Sequence, residues 1–188
     1  MKKLERGEKG YLKYKKTFQL LYTCGAILAG VVIFVVGLLL NKNEVTNVFT
    51  ILAILMVLPA AKGLTGLVVL FPYKPLANDK LEELEKLKGE EDVVFYDMVF
   101  TSTQHVMHLD ALYITDSRIL GITGREKDNI KVITESLEKA LKENKFETKV
   151  FITNDEKALL EKRKLRGEAD GKTAPSEELV TLLRTFIV

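Results

Sequence analysis

Cysteine is almost missing from this chain. Cys24 is the only one in 188 residues, so no disulfide can form within it, which fits a reducing compartment. Two histidines with no further cysteine are too few for a structural zinc site. Glycine is too sparse after any strand to cradle a phosphate: Gly121 and Gly124 stand alone. No serine sits in a nucleophile elbow or beside a base-orienting pair. No internal repeat suggests a transporter. Charge is missing too, and here the absence is informative. Phe18 to Leu40 carries no charged residue, and Val45 to Phe71 carries one, Lys62.

At about 1.5 Å per helical residue the first run reaches roughly 34 Å, enough for a hydrocarbon core of about 30 Å. It is too long for a signal-peptide core and ends without an Ala-x-Ala site. Both runs therefore read as retained spans, 18–40 and 45–71, joined by Asn41-Lys42-Asn43-Glu44. Cys24 lies inside the first span, where a packing role is expected. Seven lysines or arginines precede the first span, and only Lys42 lies in the loop. The positive-inside rule then puts both termini in the cytoplasm of a cell-membrane protein. Lys13, Lys15, Lys16 and Lys62 are assigned to the membrane interface. Lys62 snorkels if the second span ends at Ala61 and lies within the inner leaflet if the helix continues. Tyr11, Tyr14, Tyr22 and Tyr73 fall near the same boundary. Gly25/Ala29 and Ala26/Gly30 permit close helix approach, within the hairpin or between copies.

The chain divides into a basic cytosolic tail (1–17), a transmembrane hairpin (18–71) and a cytosolic domain (73–188). From Tyr73 onward there are 19 basic and 23 acidic residues, so the domain is mildly acidic. Nucleic acid is not an expected partner, because such binding rests on neutralising phosphates. Asp79 and Glu82 form a capping-box pattern for a helix striped by Leu81, Leu84 and Leu87 and ending at Gly89. Strands follow at Val93–Phe100, Val106–Thr115 and Arg118–Ile122, an antiparallel meander. Asp128 opens a helix with Ile130, Ile133, Leu137 and Leu141 on one face. Thr148 to Ile152 reads as a strand of the sheet centre. A helix from Asn154 or Asp155 to Arg166, a polar loop, and a last helix from Ser176 complete the order α-β-β-β-α-β-α-α, a mixed α/β fold with a fourth strand extending the meander.

His105, His108 and Asp110 are the cluster that suggests a metal. On a strand His108 and Asp110 share a face and His105 points away unless it lies in the turn, so no metal site is assigned and a solvated strand end is expected. Lys162, Arg163, Lys164 and Arg166 form the strongest basic cluster of the domain, either a headgroup- or partner-binding face or a solvated one.

Lys80 to Ile152 resembles the nuclease-related (NERD) domain of the restriction-endonuclease-like superfamily, with Asp110 in His108-Leu-Asp110-Ala-Leu-Tyr-Ile-Thr matching its aspartate strand. The Glu-x-Lys of that family would fall on Thr123 and Arg125, which do not match. The resemblance thus implies a member without the assembled catalytic metal carboxylates, or one with a site rearranged onto Asp110 and Glu126. Tyr113-Ile-Thr-Asp-Ser-Arg118-Ile-Leu is also similar to a hairpin of bacterial PH-like domains that follow paired spans. The long helix from Asp128 to Asn144 does not suit that barrel. The sequence therefore leads to a membrane-anchored, non-catalytic module that binds a protein partner or itself and uses no cofactor. A tethered nuclease-like enzyme and an anionic-lipid binder are the alternatives.

Overall fold

A computed structural model describes residues 4–89, 92–101, 106–115, 118–124, 129–164 and 174–188. The chain forms two compact units, one from Lys13–Pro72 and one from Met1–Leu12 with Tyr73–Val188.

The first unit is helical. Helix α1 (Tyr11–Leu40) starts seven residues before the uncharged run, because the lysines at 13, 15 and 16 continue its turns without a breaker. The chain reverses through Lys42 and Asn43, both at positive φ (+49° and +64°). Asn47 then caps α2 (Val48–Leu55), its side chain accepting from the Thr50 amide at 3.0 Å. The second run is interrupted once, at Met56, and resumes as α3 (Val57–Leu70). Pro59 falls in the first turn of α3, where a missing N–H costs no helical bond. Both stretches, Tyr11–Leu40 and Val48–Leu70, are long and apolar enough to cross a membrane. Their packing uses small residues. Gly30 lies against Met56 and Ala53, Gly63 against Thr23 and Tyr22, and Gly66 against Gln19. The Ala26/Gly30 pair thus serves contact within the hairpin, whereas a Cβ on Gly25 would meet nothing within 4 Å.

The second unit is an α/β layer structure. After α4 (Asn78–Lys86) come β1 (Val93–Thr101), β2 (Val106–Ile114), β3 (Arg118–Ile122), α5 (Ile130–Glu143), β4 (Lys149–Thr153), α6 (Glu156–Lys164) and α7 (Glu177–Phe186). The order of element types is the one the sequence predicts. The sheet order is β1-β2-β3-β4, antiparallel across the first two pairs and parallel for β3 with β4. β4 is therefore an edge strand, not a central one. Its apolar character comes from α5, which packs on it, and from the cover of α6.

Alternation along the strands builds two apolar faces. Tyr96, Ala111, Tyr113, Leu120 and Ile122 gather with Leu84 of α4 and Leu159 of α6. Leu112, Ile114, Val150 and Ile152 point the other way, and Ile133, Leu137 and Leu141 form the buried stripe of α5. Helix starts differ in detail from expectation. Ala77, not Asp79, is the N-cap of α4, and it makes no side-chain cap bond. Asn129 caps α5, accepting from the Val132 amide at 3.4 Å, while Asp128 lies outside the described residues. Ser176 caps α7 through the Leu179 amide at 3.3 Å.

Part of the basic tail belongs to this unit. The Tyr96 amide donates to the Gly7 carbonyl at 2.9 Å, Lys9 pairs with Glu85, and Arg184 pairs with Glu5. Gly7 has φ +86°, and a Cβ there would stand 2.6 Å from Phe95 Cδ1, so only glycine fits. At the other end of β1, Phe100 bridges Ile187 and the Val188 amide donates to the Val99 carbonyl at 2.9 Å.

Candidate functional site

Polar side chains converge on the sheet face that Leu112 and Ile114 also occupy. His108 and Asp110 alternate along β2, and the flanking pairs Tyr96–Ala111 and Met98–Leu109 put Asp97 of β1 directly opposite Asp110. His108 Nε2 lies 4.0 Å from Asp97 Oδ1, and His108 Nδ1 lies 3.5 Å from Asp110 Oδ1. The imidazole thus stands between two carboxylates on neighbouring strands. Asp97 is 1% exposed and His108 3%, so the cluster is interior and not the solvated strand end that the sequence suggests.

Asp97 is its most unusual member. Its φ is +48°, a left-handed conformation in the middle of a strand, where it interrupts the ladder. Its Oδ1 accepts the Leu76 amide at 2.9 Å, and its Oδ2 has no hydrogen-bond partner among the described residues. Burial pushes its carboxyl up to about 6. The Leu76 bond works against this and the Asp110 charge adds to it. Like charges opposed across two strands are destabilising, and the imidazole lies between this pair.

The cluster also holds the connector that leaves the helical segment. The Tyr73 ring stacks on His108, centroids 5.4 Å apart and 18° between planes, and Tyr73 Oη donates to the Val106 carbonyl at 3.0 Å. Together with the Asp97–Leu76 bond, this fixes both ends of the stretch from Tyr73 to Leu76 on the sheet.

Asp110 points toward the end of β3. A Cβ on Gly124 would meet Asp110 Oδ2 at 2.6 Å, and Lys80 Nζ borders the same point at 3.8 Å. Extending the register places Asp110 beside Thr123, which is fully buried. Arg125, Glu126 and His105 lie outside the described residues. Among the described residues no group of three or more His, Cys, Asp or Glu side chains is placed to hold a metal ion. The ring between the two acids accounts for this, because its nitrogens face opposite carboxylates instead of a shared centre.

The basic residues are spread over both units. Lys162 is exposed, with its ammonium 5.5 Å from the Phe151 ring centre, a cation–π contact. Arg163 and Lys164 end α6, and Arg166 lies outside the described residues. In the helical unit Lys13 and Lys62 are exposed, Lys15 is half-buried, and Lys16 Nζ donates to the Phe71 carbonyl at 3.3 Å. Asp97 went unnoticed in the sequence. Its one signal is an acid inside the apolar run Val93-Val-Phe-Tyr-Asp-Met-Val-Phe.

No protein-family model, curated protein or solved structure matches this chain.

Proposed function

We propose that this chain is a membrane-anchored α/β module that acts by binding a protein partner or a second copy of itself, without catalysis. The anchor rests on one observation above all. The most apolar stretch of α1 is 22% buried and that of α2–α3 only 6%, whereas a core helix of a water-soluble protein hides its apolar face. The charge split around the spans supports cytoplasmic termini. The binding role is supported by the interior position of Asp97 and His108, which turns the unit's densest acid–base chemistry toward its own connector.

Orientation is tested on a Cys24→Ser background. A cysteine at Glu44 is expected to react with a membrane-impermeant maleimide in intact cells. One at Lys142, exposed on α5, is expected to react only after permeabilisation. The reverse pattern would overturn the orientation, and recovery of the chain in the soluble fraction would overturn the anchor.

A nuclease-like enzyme with a rearranged site is the second reading. It draws support from the sheet, since Asp110 lies on the second strand of the helix–strand–strand–strand–helix–strand order that the resemblance implies. Calorimetry with magnesium and manganese on the detergent-solubilised full chain separates the two readings. No saturable heat is expected. Saturable binding that Asp110→Asn abolishes would favour the enzyme.

A further inference from the structure

In the helical unit the contacts of Gly63 with Tyr22 and Thr23, of Gly66 with Gln19, and of Lys16 with Phe71 set the antiparallel register. Lys62 is therefore level with the region of Thr23, well inside α1. Helix α3 continues unbroken from Lys62 to Leu70, so the apolar helix long enough to cross a membrane, Val48–Leu70, runs past Ala61. Nine residues separate Lys62 from Phe71, about 13 Å along the axis. A lysine stem covers about half that distance.

The side chain is exposed and has no ion-pair partner among the described residues. Nor can a second copy of this unit supply one at that depth. The only acid between Lys13 and Pro72 is Glu44, which lies at the opposite end, beyond the contact of Gly37 with Asn47 and Phe49. The end that holds Lys62 also carries Lys13, Lys15 and Lys16, so its charge is entirely positive.

We propose that Lys62 binds the phosphodiester of an anionic phospholipid drawn below the general headgroup level. This rests on the membrane-anchored reading. An ammonium held short of the aqueous boundary is stabilised by a counter-ion, and the phosphodiester of a surrounding lipid, drawn inward, is the nearest source of negative charge. The neighbouring lysines concentrate anionic lipid there by long-range attraction, and Lys62 alone reaches below the surface.

The test is native mass spectrometry of the full chain, released from nanodiscs containing phosphatidylglycerol and phosphatidylcholine. The intact protein is expected to retain phosphatidylglycerol. Lys62→Gln is expected to lower that retention about tenfold, Lys62→Arg to preserve it, and Lys42→Gln at the opposite end to leave it unchanged. Equal retention by the intact protein and Lys62→Gln overturns the site while leaving the anchor intact. A lipid-independent dimer that Lys62→Gln dissociates overturns it in favour of a second copy. A chain that carbonate washes off the membrane overturns both the site and the anchor.

Discussion

Asp97→Asn is expected to stabilise the α/β unit at pH 7.5 by about 3 kcal/mol and to have little effect below pH 4. The carboxyl is raised from 3.8 to about 6, and each unit corresponds to about 1.4 kcal/mol. The folded state therefore holds this proton more tightly than the unfolded state. Its contribution to stability is complete below the unfolded value of 3.8, declines as pH rises toward 6, and is gone above that. Asparagine removes the ionisation and keeps the rest. Its carbonyl can still accept the Leu76 amide, and it tolerates φ +48° as well as any residue with a Cβ. Thermal unfolding of both proteins at pH 4, 5.5 and 7.5 in detergent measures the difference. An asparagine variant less stable at pH 7.5 would mean that the Asp97 charge is a net favourable partner of His108.

Tyr113→Ala is expected to cost about 3–5 kcal/mol, and Tyr113→Phe about 0.5–1.5 kcal/mol. The Tyr113 ring is 1% exposed, in the cluster joined by Leu84 and Leu159. Its hydroxyl donates to the Leu84 carbonyl at 2.6 Å, a buried bond between the centre of the sheet and the last turn of α4. Phenylalanine leaves that carbonyl only the longer bond from the Leu87 amide at 3.3 Å, and alanine removes the ring that ties α4 to β2. Equilibrium denaturation of the two variants separates the hydrogen bond from the packing. A Tyr113→Phe variant as stable as the intact protein would mean that the hydroxyl bond contributes nothing measurable, and equal losses in the two variants would mean that the ring adds nothing beyond it.

These residues also mark how far the sequence could be read. Features with a local period were legible: the uncharged runs, the alternation in β1 to β3, the Ile133–Leu137–Leu141 stripe and the Ser176 cap. Features set by distant chain were not. The Tyr96–Gly7 bond spans nearly half of the polypeptide, and nothing in the basic N-terminal segment announces it. The break at Met56, by contrast, carries a local signal, since Pro59 has no N–H to give the Leu55 carbonyl four residues earlier. Thr148 to Ile152 reads as a central strand because helices cover both its faces, although its place in the pairing is at the edge. At the candidate site the sharing of a face by His108 and Asp110 follows from strand geometry. Asp97 completes the cluster only through cross-strand register and a left-handed φ, which an aspartate does not advertise as a glycine would.

The two chain ends that lie along β1 also bear on association. An open strand edge is a template for another chain, and long, flat, apolar edges invite aggregation. Here the Gly7 carbonyl receives the Tyr96 amide, and the Val188 amide reaches Val99, on a strand that is otherwise almost wholly apolar. The segment that leads into α1 is thus also a guard on the sheet. Cleavage within the first dozen residues would unmask part of that edge, and copies crowded on a surface would meet edge to edge.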